Sequence, residues 1–383
     1  MTLPWSLRCS SCDARHDASG LPTVCSACGA PWLVSYAYAP DPTVRASLAM
    51  RPATMWRYRE WLPLVDGEEP VSLGEGMTPL VRVPSVERRF GLSSVWIKDE
   101  STNPTGSFKA RGLSAAITRA TLGGAPAFTV PTAGNAGVAT SAYGARAGRP
   151  VRVYAPRSTP ARLLEQVGVF GGQLEVRDGH IGDCGQASRA YAAESGAFDV
   201  STLREPYRIE GKKTLGLELA EQFDWDLPDV IIYPTGGGTG LIGMWKAFDE
   251  LRRAGWLAAD CRPRLISVQS TGCAPVARAF DAGQDATTAW EHPETVASGL
   301  RVPAPLGGPL ILRGLRETGG LAVAVTDDAL MESAQWVGSG EGIDMCPEGG
   351  AAVAALASLV SAGMVDRDAR VVLFNTGAGW LYR

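Results

Sequence analysis

Lysine is scarce in this chain. Of the 36 basic residues among 383, only Lys98, Lys109, Lys212, Lys213 and Lys246 are lysine. Chemistry that needs an amine nucleophile therefore has few candidates. Long hydrophobic runs are missing too, and no apolar stretch approaches the ~20 residues that span a bilayer, so no membrane partner is expected. No run of one charge sign occurs, and 36 basic against 40 acidic residues leave a net charge of −4. That argues against a surface for nucleic acid or anionic lipid. The opening MTLPWSLRCSSC lacks a basic segment followed by an apolar one, so no secretory signal is read and a cytoplasmic protein is expected. Neither repeats nor low-complexity tracts stand out.

What is present fits an ordinary globular protein, with 45% apolar and 20% charged residues and length for two or three domains. Cysteine is concentrated at one end. Four of the eight stand in the first 28 residues as Cys9-x2-Cys12-x12-Cys25-x2-Cys28. Two such knuckles bring four soft thiolates to one tetrahedral point, which suits a structural Zn²⁺ better than disulfides in a reducing compartment. A metal-free or oxidised remnant is the alternative. Four cysteine ligands leave no open position for catalysis, His16 reads as a solvated loop residue, and Arg15 is the ribbon's one basic residue. Cys184, Cys261, Cys273 and Cys346 are scattered singly and read as small buried hydrophobes. The proline-rich stretch 39–70 reads as an arm wrapped on the body.

From about residue 95, short β-rich runs alternate with Ala/Leu-rich helical runs. Strands are expected at Val95–Lys98, Ala127–Val130, Val151–Ala155, Gln173–Arg177, Val230–Tyr233, Arg264–Gln269, Leu321–Val325 and Arg370–Phe374. Helices are expected between them, among them Ala110–Leu122, Gly137–Ala147, Thr214–Phe223, Leu241–Ala254 and Gly349–Ala362. Such alternation predicts parallel sheets with ligands at the C-terminal strand ends.

Residues able to do chemistry cluster at those ends. Asn103-Pro104-Thr105-Gly106-Ser107 forms a turn that places Lys109 in the first turn of a helix, where the positive dipole end disfavours an ammonium. A lysine so placed serves as a nucleophilic amine, although a solvated helix lysine is the bland alternative. Thr132-Ala133-Gly134-Asn135 opens another helix, with Asn135 offering a donor and an acceptor. Gly236-Gly237-Gly238-Thr239-Gly240 links a strand to a helix N-terminus, which suits a phosphate dianion or else serves packing alone. Its spacing is neither the dinucleotide fingerprint nor the P-loop. Thr376 ends the last strand with an uncharged hydroxyl. Pyridoxal phosphate matches all three features, with an aldehyde for Lys109, a phosphate for the glycine loop and a ring nitrogen for Thr376.

These motifs resemble the threonine synthases, within the fold type II (tryptophan synthase beta-like) family of pyridoxal-phosphate enzymes. The resemblance runs almost end to end: the cysteine ribbon, GEGMTPL (Gly74–Leu80), KDESTNPTGSFKARG (Lys98–Gly112), TAGN, YRIEGKKT (Tyr207–Thr214), PTGGGTG, PEGGAA (Pro347–Ala352) and NTGAG. It implies an α/β, two-domain parallel-sheet fold with a zinc-ribbon-like segment over 1–38. A large cofactor-binding domain would span 39–109 and 206–383, and a small mobile one 110–205. It implies Lys109 as the Schiff-base lysine, Asn135 on the ring hydroxyl, Gly236, Gly237, Gly238, Thr239 and Gly240 on the phosphate, and Thr376 on the pyridine nitrogen. A homodimer is also implied. Thr105, Ser107, Thr132 and Arg208 are the candidate contacts to an amino-acid substrate expected to be phosphorylated. Lys212 and Lys213 read as a solvated helix start or as anion contacts, and Arg111 as an anion contact or a partner of Asp99 or Glu100.

Three departures bear on substrate. Ala follows the lysine where many relatives have Asp, Ala133 and Ala136 stand where hydroxyls are common, and Glu205 lies in a segment usually rich in asparagine. The expected reaction converts O-phospho-L-homoserine and water to L-threonine and phosphate. The alternative is β-elimination or β-replacement on serine, threonine or their phosphorylated forms, as in a dehydratase or cysteate synthase. A non-catalytic binding protein is the reading from another class.

Overall fold

The computed structural model describes residues 3–383, so the first two residues of the expected 1–38 segment lie outside it. The chain opens with strands β1 (Trp5–Cys9), β2 (Arg15–His16) and β3 (Trp32–Tyr36) and the short helix α1 (Arg45–Leu48). Then come β4 (Leu80–Arg82), α2 (Pro84–Phe90) and β5 (Ser94–Asp99). Strict alternation follows through α3 (Lys109–Leu122), β6 (Phe128–Pro131), α4 (Asn135–Arg146), β7 (Val151–Pro156), α5 (Ala161–Val169) and β8 (Gln173–Arg177). It continues through α6 (Ile181–Ser195), β9 (Phe198–Asp199), α7 (Tyr207–Gln222), β10 (Val230–Pro234), α8 (Thr239–Arg253) and β11 (Arg264–Ser270). The last elements are α9 (Pro275–Asp281), α10 (Gly308–Glu317), β12 (Leu321–Val325), α11 (Asp327–Glu341), α12 (Pro347–Ser361) and β13 (Arg370–Asn375).

Two compact units emerge. The first holds the chain up to Met77 together with Lys109–Glu218 and Lys246–Leu257; the second holds Thr78–Phe108, Leu219–Trp245 and Ala258–Arg383. The first contains a four-stranded parallel sheet in the order β8-β7-β6-β9 and the antiparallel ribbon β2-β1-β3. Trp5, Leu7, Trp32 and Val34 of the ribbon pack against Ala116 of α3 and Tyr207 of α7. Burying four such side chains stabilises the ribbon by several kcal/mol, at about 1.5–3 kcal/mol for each large one. The expected arm is folded onto this unit, where Trp256 donates to the Pro40 carbonyl at 2.8 Å and meets Trp61 edge to face.

The second unit is built on a six-stranded sheet in the order β12-β11-β10-β13-β5-β4. Its five longer strands are parallel and only the edge strand β4 is antiparallel. Val95, Ile97, Val230, Ile232, Val371 and Leu373 share one core with Ala351, Ala352, Val353, Ala355, Leu356 and Leu359 of α12. The central strands read as unbroken apolar runs because helices cover both faces. The eight expected strands form, each within one residue of its expected start. α7 begins seven residues earlier than expected, and the charged residues of that first stretch, Arg208, Glu210, Lys212 and Lys213, are buried.

Candidate functional site

In the second unit, three chain segments meet at the C-terminal end of β13. Phe108 donates its amide to the Thr376 carbonyl at 3.0 Å, Ser107 bridges Gly377, and Ala378 donates to the Gly106 carbonyl at 2.9 Å. Gly106 is at φ +66°, and a Cβ there would sit 2.9 Å from Leu381. The Asn103–Ser107 turn is thereby clamped to the Thr376 loop, and the next residue but one is Lys109. Thr105 is 5% exposed, and its hydroxyl has no hydrogen-bond partner among the described residues. Such a buried hydroxyl is costly unless a ligand meets it.

The glycine loop leaves β10 in the same unit. Thr235 is pinned at both ends, its amide to the Val268 carbonyl at 2.8 Å and its hydroxyl to the Tyr233 carbonyl at 2.9 Å. A Cβ on Gly236 would lie 2.1 Å from the Gly299 carbonyl, and one on Gly240 would lie 2.0 Å from the Tyr233 hydroxyl. Gly238 is at φ +76°, so it too requires glycine. Gly237 is the one partly open residue of the five, and Thr239 opens α8. The first amides of a helix have no partner within it, so this N-terminus offers donors and a favourable dipole to an anion.

Cys346 is a residue the sequence reading missed. It caps α12, its sulfur lying 3.3 Å from the Gly349 amide, 3.4 Å from Asn375 Oδ1 and 3.7 Å from Thr376 Oγ1. Burial, reinforced by nearby Glu348, pushes its thiol well above the ordinary range and keeps it neutral. The following Pro347 at a helix start was the available signal. Glu348 is buried, with one oxygen on the Gly299 amide at 2.7 Å and the other unpartnered among the described residues.

In the first unit, Lys109 is the first residue of α3 and Asn135 the first of α4. Both side chains are half-buried. Thr132 Oγ1 donates to the Gly134 carbonyl and accepts from the Gly134 and Gly137 amides, so its hydroxyl builds the turn. Arg208 is 1% exposed; its Nη1 donates to the Val200 carbonyl at 2.7 Å, while Nε and Nη2 have no partner among the described residues.

The remaining charged candidates resolve differently from expectation. The Arg111 guanidinium forms a two-pronged pair with Glu218 (Nη2 to Oε2 2.7 Å), and Nη1 also donates to Thr214 at 3.0 Å. Lys213 is fully buried and ion-paired to Glu210 at 2.7 Å and Glu250 at 2.8 Å, beneath the Tyr36 ring. Burial pulls its ammonium below the usual range while the two carboxylates resist. Lys98 is held by the Thr78 carbonyl and Gln222, and Lys212 is also fully buried. Neither Lys212 nor Lys213 is a solvated helix start. Lys109 and Lys246 are the two lysines that remain partly exposed, and Lys246 is ion-paired to Glu210 and Glu250.

The four ribbon cysteines bring their sulfurs within 4.8 Å of one another, with Cys9–Cys28 at 3.4 Å and Cys12–Cys25 at 3.7 Å. Such separations are far longer than a disulfide and near the ~3.8 Å edge of a tetrahedral ZnS₄ site. Gly29, at φ +74°, turns the second knuckle and donates to the Cys25 carbonyl.

Residues 71–377 match the family model described as pyridoxal-phosphate dependent enzyme. The threonine synthase of Methanocaldococcus jannaschii is 32% identical over 375 residues, covering 97% of this chain and 92% of the relative. That of Methanosarcina acetivorans is 32% identical over 374 residues, covering 97% and 91%. Among solved structures, maize serine racemase superposes with a TM-score of 0.68 at 22% identity, over 89% of this chain and 94% of that one. A fungal L-serine ammonia-lyase from Rhizomucor miehei gives 0.68 at 20%, over 81% and 95%. The chain belongs to the pyridoxal-phosphate-dependent enzymes of fold type II. Within that class it is a threonine synthase-like lyase.

Proposed function

We propose that this enzyme converts O-phospho-L-homoserine and water to L-threonine and phosphate. The observation that carries the reading is that Lys109, Asn135, the Gly236–Gly240 loop and Thr376 all stand at helix openings or a strand end. They do so in a chain 32% identical to threonine synthases over 97% of its length. The residues fit pyridoxal phosphate, because close packing against Gly299, Ile311 and Tyr233 holds 236, 238 and 240 to glycine, so the loop carries no side chains there where it leads into the α8 N-terminus. When bound, that group supplies an electron sink for negative charge at the substrate α-carbon.

The chain's own residues do the rest. Gly236, Gly237, Gly238, Thr239 and Gly240 would hold the phosphate through amides and the α8 N-terminus. Asn135 would bond the ring hydroxyl, and Thr376 the ring nitrogen without adding charge. Lys109 would carry the cofactor. The Lys109 amine, tethered beside the substrate α- and β-carbons, would move protons at both. Thr105 and Ser107 would orient the substrate, and Arg208 would meet its distal anion. Thr132 supports them by shaping the turn before Asn135.

The ribbon would hold one structural Zn²⁺ through Cys9, Cys12, Cys25 and Cys28. Although burial opposes ionisation, the Cys12 and Ser11 amides bring the Cys9 thiol down to about 7. Assembly as a homodimer and a mobile small domain over 110–205 belong to the same reading.

Purified, cofactor-loaded protein given O-phospho-L-homoserine should release phosphate and threonine, and Lys109→Ala should do neither. Full turnover by Lys109→Ala would overturn the assignment of Lys109. A loaded enzyme inert to this substrate would favour the second reading, β-elimination or β-replacement on serine, threonine or their phosphate esters. Ala133 and Ala136 support that reading by offering no hydroxyl to a distal phosphate. Product identification across those substrates decides it.

A further inference from the structure

The start of α7 holds a buried cluster of charge that the proposed chemistry does not use in full. Glu205 is 1% exposed, and its carboxylate accepts from the Tyr207 amide at 2.7 Å and the Arg208 amide at 3.1 Å. These are the first donors of the helix, the place a foreign anion would otherwise take. Arg208 lies one residue further on, with two buried nitrogens unpartnered among the described residues. Asp199, at the end of β9, is also buried and accepts from Ser201. The charges acting on Glu205 are Arg208 of its own helix and Asp199 of the strand, with the Tyr207 hydroxyl facing it as well. Asp199 is in turn faced by Arg204 and Arg189.

Two carboxylates and one guanidinium leave the buried cluster with a charge of −1 when all are ionised. Placing a dianion on the buried Nε and Nη2 of Arg208 would bring it to −3 in a site shielded from water. Interactions between charges grow steeply as the effective dielectric constant falls, so the arrangement resists that state. A proton on Glu205 relieves it. The neutral acid keeps an oxygen to accept the helix amides, and Arg208 is left to the incoming group.

We propose that Glu205 is a specificity-determining residue that couples binding of a doubly charged substrate group at Arg208 to uptake of one proton from solvent onto its own carboxylate. The proposal rests on the reading of Arg208 as the contact for the distal anion. No bond between heavy atoms forms or breaks; one solvent proton moves to a Glu205 oxygen as the dianion enters. Burial supports the coupling, since it already pushes Glu205 up to about 7 with no ligand bound, despite Arg208 and the two amides. The subsite therefore accepts a dianion readily below neutrality and poorly above it.

Sulfate is the direct probe, being a dianion that carries no proton of its own near neutrality. It is titrated calorimetrically into the cofactor-loaded enzyme in buffers of different ionisation enthalpy, which reads proton uptake. About one proton per sulfate is expected at pH 8 and about a tenth of one at pH 6, with affinity falling roughly tenfold per pH unit above 7. The KM for O-phospho-L-homoserine should rise in the same way, more steeply than kcat changes. Glu205→Gln keeps an acceptor for the helix amides and should abolish both the uptake and the pH dependence of KM.

Sulfate binding without proton uptake in the unaltered enzyme overturns the proposal and needs no variant to do so. Uptake that persists in Glu205→Gln overturns it as well. Either result leaves the functional reading standing if threonine is still formed. Absence of sulfate binding in both proteins, with no rise in KM for Arg208→Lys, overturns the proposal together with Arg208 as the anion contact.

Discussion

Removing one partner of the Arg111–Glu218 pair should be among the most destabilising single changes available to the enzyme. Both side chains are fully buried. The pair ties the first turn of α3, two residues past Lys109, to α7. Glu218 Oε1 also accepts the Met77 amide at 2.7 Å, so the carboxylate closes the GEGMTPL segment as well. Arg111→Met leaves a buried carboxylate without its counter-charge, and Glu218→Gln leaves a buried guanidinium without its own; each should cost about 3–5 kcal/mol. The double variant retains an amide oxygen for Met77 and contains no unpaired charge, so it should cost only about 1–3 kcal/mol. The two singles then overshoot the double by at least ~3 kcal/mol, far outside the ~0.5 kcal/mol scatter of independent sites. Reversible urea unfolding, read by midpoints at constant slope, measures all four proteins. Because the pair is buried, the coupling should survive 1 M salt. Additive singles, or a coupling that salt removes, would refute the assignment of this pair as the buried anchor of α3.

The other expectations are simpler to state. Gly236→Ala places a methyl 2.1 Å from the Gly299 carbonyl, so the loop must move, and cofactor retention through gel filtration should fall at least tenfold while far-UV circular dichroism is kept. Chelation of the ribbon metal should expose Trp5 and Trp32, now 3% and 5% exposed, and shift tryptophan fluorescence to the red in step with about one Zn²⁺ released per chain. Glu205 lies at about 7 when folded against an ordinary 4.5, so the stability it confers is complete below pH 4.5 and is lost as pH rises through 7. The loss amounts to at most about 3 kcal/mol, and Glu205→Gln should flatten the melting temperature across that range.

Much of the molecule is legible in the sequence. The strands of the six-stranded sheet were readable because helices cover both faces, so each appears as a compact Val/Ile-rich run. The glycine loop was readable because only glycine meets its close approaches. What escaped shares one cause, namely partners distant in sequence. Arg111 looked toward Asp99 or Glu100 because they are near in the chain, whereas its partner lies 107 residues on. Lys212 and Lys213 suggest a wet helix start, yet both are buried, and Tyr36, 174 residues before Glu210, lies over Lys213 and donates to the Glu210 carboxylate. Glu75 stands in the sequence only as part of GEGMTPL, and it is the buried acceptor for Trp56 at 2.9 Å and Tyr143 at 2.7 Å. Charged residues in the interior announce themselves locally only as charge. The turn-building role of Thr132 could not be read locally, since a hydroxyl beside a glycine turn serves that turn as readily as a ligand.

The burial of lysine has a practical side. Lys98, Lys212 and Lys213 are sealed in the interior, and Lys246 is clasped by Glu210 and Glu250. An acylating or reductively alkylating reagent should therefore reach Lys98, Lys212 and Lys213 only when the protein opens. Modification at these three positions becomes a clock for unfolding, read in the native protein without any denaturant.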